Sequence, residues 1–289
     1  MKKVVLSVVA ALAISAAPAL AADMPVKAAP AAPAAAPSPW DVAFGTAFTT
    51  DYELRGVSQS NHKPAVQGYF ELDYTATDWL KLYAGVWGSS VWTGLADAEF
   101  DITAGARFTW GNFGLDVGFI QYEYPGGTPN LFGNYAEAYA KPSYKFNDWL
   151  TVGGVFETGC NNYNGKLAAG PWVGDAGHYF YAANAVITLP ASLIPGPVTV
   201  SINPEIGREY YSSGVNANLG YSSDTYWDVG VDFVYKAVTL DLRWWDTNIS
   251  NPTPTYAAQC LNAGSGSTNF CASRFVATLK FDTTLSALK

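Results

Sequence analysis

The sequence predicts an all-β protein: a transmembrane antiparallel up-and-down β-barrel of about 12 strands. Three observations predict this fold. Apolar and polar side chains alternate along many short segments, the connections between these segments alternate between short and long, and the composition is unusual. Aromatic residues make up 15% of the 289 residues and charged residues only 14%, whereas soluble domains carry about 25% charged residues.

The chain begins with a segment that predicts export from a bacterial cell. Lys2 and Lys3 precede an apolar run, and Ala19-Leu20-Ala21 has the small-x-small form of a cleavage site, so residues 1–21 are expected to be a signal peptide. A membrane-spanning helix is the alternative, but the run is shorter than the roughly 20 residues that a bilayer requires. Residues 22–39, rich in Ala and Pro, predict an extended periplasmic linker. Residues 40–289 are expected to form the barrel.

Alternation of side chains identifies the strands. The segment "VTLDLRW" from Val238 places Val, Leu, Leu and Trp on one face and Thr, Asp and Arg on the other. Successive side chains of a strand point to opposite faces, and a tilted strand needs about 9–11 residues to cross a membrane. Twelve segments of about this length are predicted, near residues 40–55, 66–75, 79–89, 98–109, 112–123, 134–145, 149–157, 177–188, 197–208, 226–235, 237–247 and 273–281.

The polar faces of these strands carry many charges. Burying them together in a dry core would cost several kcal/mol for each unpaired group, so they are expected to enclose water while the apolar faces meet lipid. A soluble β-sandwich with outward polar faces is the alternative. The charged residues predicted to line the pore are Asp51, Glu53, Arg55, Glu71, Asp73, Lys81, Asp101, Arg107, Asp116, Asp228, Asp232, Asp241, Arg243, Arg274 and Lys280.

The connections between strands favour the membrane barrel over the sandwich. Short turns follow predicted strands two, four, six and ten, and long loops occupy residues 56–65, 90–97, 124–133, 158–176, 209–225 and 248–272. Outer-membrane barrels have short periplasmic turns and long extracellular loops, which places both termini in the periplasm. Trp79, Trp110 and Trp149 lie beside short turns, as expected for rings at the lipid headgroup level.

The stretch "DYELRGVSQS", residues 51–60, places Asp51, Glu53 and Arg55 at alternate positions. If strand one continues to Arg55, these three side chains share its lumen face near the extracellular end. They would then either create a transverse field that orients dipolar solutes or neutralise one another against the wall. Three aromatic residues, Tyr69, Tyr83 and Trp87, are also predicted to face the lumen. They would either form a sliding surface for sugars or narrow the bore.

The same region carries a resemblance to a known family. Asp51-Tyr52, Arg55-Gly56, Ser58-Gln59-Ser60, Pro64-Ala65, Gln67-Gly68 and Tyr83-Ala84-Gly85 with Trp87 and Ser89 form a pattern that resembles the TorF-like family of porins, bacterial outer-membrane proteins known mostly by sequence. The resemblance covers mainly residues 44–90. It implies a porin and names no substrate.

Residues for other chemistry are sparse. The chain has two histidines, His62 and His178, and neither lies in a serine-nucleophile or metal-ligand motif. No catalytic residue, metal or cofactor is therefore predicted. With 24 acidic against 16 basic residues, nucleic acid is not an expected partner. Cys260 and Cys271 are expected to form a disulfide in one extracellular loop, with Cys160 left over or paired with one of them.

The function expected from the sequence is an outer-membrane porin-like channel for passive diffusion of small hydrophilic solutes or ions. The alternative is a structural or adhesive barrel whose lumen is blocked and whose long loops bind a partner. The expected partners are outer-membrane lipid and lipopolysaccharide, small hydrophilic solutes and the barrel-assembly machinery. Formation of a homo-oligomer is left open.

Overall fold

A computed structural model describes residues 38–92, 96–126, 134–160, 178–212, 220–254, 256, 258–261 and 269–288. The predicted signal peptide, most of the predicted linker and the tips of several long loops lie outside the described residues. Among the described residues, no helix is long and apolar enough to cross a bilayer.

The described residues contain fourteen strands, and twelve of them form a closed antiparallel barrel, in which β1 pairs with β4 and with β14. The strands are β1 Trp40–Thr49, β2 Glu53–Leu54, β3 Val57–Ser58, β4 Ala65–Thr77, β5 Leu80–Ser90, β6 Ala98–Trp110, β7 Phe113–Glu123, β8 Tyr135–Lys145, β9 Leu150–Gly159, β10 His178–Thr188, β11 Thr199–Tyr211, β12 Asp224–Tyr235, β13 Val238–Thr247 and β14 Arg274–Thr284. The predicted fold, a barrel of about twelve antiparallel strands, is confirmed.

Eleven of the twelve predicted segments agree with the observed strands to within three residues at each end. The connections between consecutive barrel strands lie alternately at the two ends of the barrel. We call the end with residues 78–79, 111–112, 146–149, 189–198 and 236–237 the turn end, and the opposite end the loop end. Trp40 and Thr284, where the barrel begins and finishes, both lie at the turn end.

The prediction for the first strand is wrong. Strand β1 ends at Thr49, and the chain then turns into the barrel, where β2 and β3 pair as a short hairpin. Arg55 and Gly56 form its two-residue turn with φ of 52° and 81°, the left-handed pair that tight hairpins favour. Asp51, Glu53 and Arg55 therefore do not share one face of a strand.

Glycine is required at the second position of this turn for a further reason. A Cβ atom on Gly56 would lie 2.6 Å from Cβ of Tyr226 on the facing wall, which is far inside normal contact distance. The tip of the hairpin thus packs tightly against β12. Tyr52, Arg55, Val57 and Ser58 are all buried, so the hairpin is an internal element of the barrel.

The outer surface of the barrel is apolar, as the alternation predicts. Its exposed residues are large and hydrophobic on every side; they include Val66, Phe70, Val86, Phe100, Ile102, Phe119, Phe156, Tyr181, Ile206, Val229, Leu240, Phe275 and Leu279. An exposed apolar band of this extent is unfavourable in water, because soluble proteins rarely expose contiguous patches of more than a few hundred Å². It suits a surface that contacts lipid.

Aromatic rings gather at the turn end of this band. Trp79, Trp110 and Trp149 are about half exposed. The ring centroids of Trp79 and Trp110 lie 6.3 Å apart, and those of Trp110 and Phe113 lie 6.0 Å apart. This arrangement is the one that the positions of the Trp residues beside short turns predict, and it matches the aromatic girdles of membrane barrels.

A disulfide joins Cys260 to Cys271 at the loop end, the pair that the sequence analysis expects, while Cys160 carries a free thiol. The two half-cystines pack with Val57, Ile249 and Phe270 in a buried cluster. The amide N–H of Ser58 also donates to the carbonyl of Phe270 at 3.0 Å. The described part of the connection between β13 and β14 thereby covers the hairpin from the loop end.

Candidate functional site: the charged lumen

The hairpin crosses the lumen and is held at its tip by Arg55. One nitrogen of the guanidinium donates to Glu137 at 2.6 Å and also to Glu157, and the other donates to Glu209 at 3.1 Å. These acids belong to β8, β9 and β11, and all three are buried. The hairpin is therefore tied to the wall across the lumen from β1, where it starts.

His178 completes this cluster, which we call the Arg55 latch. Its imidazole lies between two of the acids, with Nδ1 2.9 Å from Glu137 and Nε2 2.8 Å from Glu209. The guanidinium of Arg55 also lies 4.5 Å from the ring centre of Phe180, a cation–π distance. Burial alone would lower the pKa of Arg55, but the surrounding carboxylates outweigh burial and raise the pKa above its ordinary value. The guanidinium is therefore charged.

The base of the hairpin is organised by Asp51. Its carboxylate accepts hydrogen bonds from the hydroxyls of Ser58 at 2.6 Å and Ser60 at 2.7 Å, and lies 2.9 Å from Nδ1 of His62. Arg274 pairs with Asp51 at 3.3 Å and with Glu53 at 2.6 Å. Burial would raise the pKa of the Asp51 carboxyl, but these hydrogen bonds and Arg274 outweigh burial and hold the pKa below its ordinary value.

A second network fills the lumen on the side of β4 to β8. Arg107 pairs with Glu71 at 2.6 Å, Asp116 at 3.1 Å and Asp73 at 3.4 Å. Its guanidinium lies over the ring of Tyr83, 3.8 Å from the centre. In a shared network each charge has several partners, so these groups hold one another in place and narrow the bore on this side.

A third network lies on β12 to β14. Arg243 pairs with Asp228 and, at 3.3 Å, with Asp241, while Lys280 reaches Asp241 at 3.1 Å. Asp232, further along the inner face of β12, accepts a hydrogen bond from the amide of Asn203 at 2.8 Å. The two bases here serve more carboxylates than they can neutralise.

The structure brings the sequence-predicted pore residues into these groups, with two differences from the expected arrangement. Asp51, Glu53 and Arg55 neither create a field from one strand nor neutralise one another, because Arg55 binds acids of the far wall while Arg274 pairs with the other two. Asp101 lies apart on β6, buried, and within the described residues no base contacts it.

Several lumen residues were missed by the sequence analysis. The acids and the histidine around Arg55, together with Glu99, Glu205 and Asp224, face inward and are not among the predicted residues. The signal was present: "YAEAYAK" and "HYFYAAN" carry Glu137 and His178 at positions where strand alternation continues. Small Ala residues at the alternate positions weakened the pattern, since Ala is compatible with either face.

A cavity of about 300 Å³ remains beside the hairpin. It is bounded by the base of the hairpin and by the inner faces of β1, β4, β5 and β11 to β14, and its lining residues are Thr49, Asp51, Tyr52, Glu53, Gln67, Trp87, Glu205, Asp228, Asp241, Arg243, Trp245, Val276, Thr278 and Lys280. Of the aromatic residues considered from the sequence, Trp87 borders this space, whereas Tyr83 is bonded to Asp116 at 2.5 Å and acts as filler in the second network.

A closed barrel with an apolar exterior, an aromatic girdle at one rim and charges inside is a membrane-spanning β-barrel protein. The chain belongs to the Gcw_chp family, described as bacterial proteins of unknown function, whose model matches residues 33–277. The resemblance to the TorF-like family is not confirmed by this match and stays a prediction. No curated protein matches the chain in sequence.

Solved structures with a similar fold include membrane proteins. A structure from work on in-meso crystallization of membrane proteins has 10% identity and a TM-score of 0.49, covering 86% of this chain and 84% of that one. The KdgM porin has 10% identity and a TM-score of 0.45, with 83% and 98% covered. The NanC porin has 9% identity and a TM-score of 0.45, with 84% and 98% covered. The fold assignment itself rests on the strand pairing described above.

Proposed function

We propose that this protein is an outer-membrane porin-like channel for passive diffusion of small hydrophilic solutes or ions, narrowed by the β2–β3 hairpin. The observation that carries the proposal is the polar cavity of about 300 Å³ inside a closed barrel. A lumen of a structural barrel could be filled with side chains, as in small barrels, but here charged groups border open space. Passive diffusion requires no catalytic group and no cofactor.

The proposed orientation places the turn end and both termini in the periplasm and the long loops outside the cell. Short periplasmic turns and longer extracellular loops are the usual pattern in outer-membrane barrels. The apolar band would then contact lipid and the base of lipopolysaccharide, and the barrel-assembly machinery would insert the chain.

A second candidate function is favoured by the Arg55 latch. The hairpin spans the lumen and is tied to the opposite wall by a buried cluster of one arginine, three acids and a histidine. If this cluster never opens and the remaining cavity is closed to solutes, the barrel is structural or adhesive, and its long loops bind a partner.

Conductance of the purified, refolded protein in planar lipid bilayers separates the two functions. If the protein is a channel, the unmodified protein should give discrete conductance steps. Arg55→Gln should give larger steps, because removing one partner of a buried ion pair costs about 3–5 kcal/mol and frees the tip of the hairpin from the far wall.

The matched control is Arg208→Gln, which removes an arginine of β11 that donates to Thr225 at 2.9 Å and does not contact the acids of the Arg55 latch. Its steps should equal those of the unmodified protein. If correctly folded unmodified protein gives no steps, the channel proposal is overturned and the structural or adhesive barrel is the better explanation.

A further inference from the structure

The two sides of the lumen beside the hairpin differ, because charged side chains fill one side and the other side borders the cavity. On one side, Arg107 of β6 pairs with acids of β4 and β7, and this network occupies that side of the lumen. The open side is formed by β11 to β14 and carries Glu205, Asp228 and Asp241 among its lining residues. A solute in this cavity therefore lies against the β11–β14 wall.

Negative charge predominates in the lining. Five carboxylates border the cavity, against the two bases Arg243 and Lys280. At the base of the hairpin one base, Arg274, pairs with the two acids Asp51 and Glu53, so one acid charge is left over there. On the β11–β14 wall the acids Glu205, Asp228 and Asp241 also outnumber the bases.

Glu205 contributes most directly to this excess. Its carboxylate accepts hydrogen bonds from two neutral donors, the hydroxyl of Tyr226 and the amide of Asn184, the latter at 3.1 Å. Among the described residues no base pairs with it. Its charge is therefore held in place but not neutralised.

Two further acids that line the cavity each keep one buried oxygen atom without a hydrogen-bond partner among the described residues. Asp228 and Asp241 are 4% and 5% exposed, and each uses one oxygen for Arg243 or Lys280. The second oxygens, Oδ2 of Asp228 and Oδ1 of Asp241, have no hydrogen-bond partner within the described part of the chain. The negative charge of these carboxylates acts on an ion in the adjacent cavity, because charges interact strongly where little water separates them.

Aromatic rings strengthen the same preference. Tyr52, Trp87 and Trp245 also line the cavity, and the ring centroids of Tyr52 and Trp87 lie 5.4 Å apart. The faces of aromatic rings attract cations. Carboxylates and ring faces around one space favour inorganic and small organic cations over anions.

We infer that the cavity is the selectivity region of the channel and that it passes small cations in preference to anions, with Glu205, Asp228 and Asp241 setting the preference. The inference rests on the proposed channel function and specifies its substrate class. Fixed charges that line a narrow passage raise the local concentration of the opposite ion, and rings of acidic side chains select cations in this way.

The test is the reversal potential of the bilayer-inserted protein in a potassium chloride gradient. The unmodified protein should prefer K⁺ to Cl⁻. Glu205→Gln keeps the hydrogen-bonding shape and leaves the pairs of Arg243 intact, and it should lower the K⁺/Cl⁻ permeability ratio by about twofold. Asp228→Asn should lower the ratio in the same direction.

Glu123→Gln is the matched control, since it removes the same charge from β7, away from the cavity lining, and should leave the ratio unchanged. A conducting protein that prefers Cl⁻, shows no preference, or keeps its ratio in Glu205→Gln overturns this inference while the channel function stands. Absence of conductance from folded protein overturns the channel function itself, so the two failures are distinguishable.

Discussion

At the scale of single residues, Arg55 shows how far a local pattern can mislead. Period-two alternation places Arg55 on the same face as Asp51 and Glu53, but its φ of 52° ends the hairpin strand and turns the chain back. The dipeptide Arg-Gly between Glu53-Leu54 and Val57-Ser58 is compatible with a two-residue hairpin turn. The positive charge of Arg55 therefore lies against three acids of the far wall. The alternation alone would place this charge on the near wall.

Asp51 makes the base of the hairpin sensitive to acid. Its folded pKa is lowered from 3.8, so its carboxylate stabilises the hairpin above that ordinary value and the stabilisation is lost as pH falls through the lowered pKa. Hydrogen–deuterium exchange of residues 51–63, corrected for intrinsic rates, should therefore rise as the pH falls below the ordinary pKa of Asp51.

Asp51→Asn provides the control for this pH dependence. The amide oxygen can still accept from Ser58 and Ser60, but the charge that pairs with His62 and Arg274 is gone. Exchange in this segment should be faster at neutral pH and should lack the acid-induced rise of the unmodified protein. A rise of equal size in both proteins would assign the acid response to other carboxyls.

At the scale of elements, the hairpin depends on a loop that is distant in sequence. The connection between β13 and β14 lies over β3, with the disulfide packed against Val57 and the carbonyl of Phe270 accepting from Ser58. A two-stranded hairpin is only marginally stable alone. Its order here comes from the Arg55 latch at the tip, the Asp51 hydrogen bonds at the base and this covering loop.

Removing the disulfide should loosen the hairpin without opening the barrel. Cys260 and Cys271 are separated by 11 positions, and closing a loop of this size is worth about 2–3 kcal/mol on the chain-entropy model. In Cys260→Ala/Cys271→Ala, hydrogen exchange of residues 53–58 should be faster while the barrel strands keep their protection. Cys160→Ala, which removes the free thiol, should show neither change.

At the scale of the whole molecule, the barrel is arranged with its charges inside and its apolar residues outside. Neighbouring positions on β14 show this: Leu279 is 50% exposed on the outer surface, whereas Thr278 lines the cavity. A shift of one position along the strand thus changes the surroundings of a side chain from lipid to the charged lumen.

These two neighbours give a matched test of the arrangement. Leu279→Arg should destabilise the folded protein in lipid by about 2–4 kcal/mol, the cost of an arginine on the lipid face near the membrane midplane. Thr278→Arg, which places the same side chain among the cavity carboxylates, should cost much less. Equilibrium unfolding by guanidinium chloride in liposomes measures both, and equal losses would contradict the assignment of the two faces.

The sequence by itself determined the barrel class, eleven of the twelve strand positions, the side of the sheet that faces outward and the alternation of turns and loops. These features depend on the period-two pattern, which a single strand carries without reference to its neighbours. The pattern at "VTLDLRW" is sufficient to orient β13 whatever strand lies beside it.

The tertiary structure alone decided the inward hairpin, the partners of Arg55 and the position of the cavity. Arg55 and Glu209 are 154 positions apart, and nothing local in either segment specifies that they meet. Their contact follows from closure of the barrel, which brings β8, β9 and β11 opposite the start of the hairpin. Which charges pair across a closed lumen is set by the curvature and register of all twelve strands together.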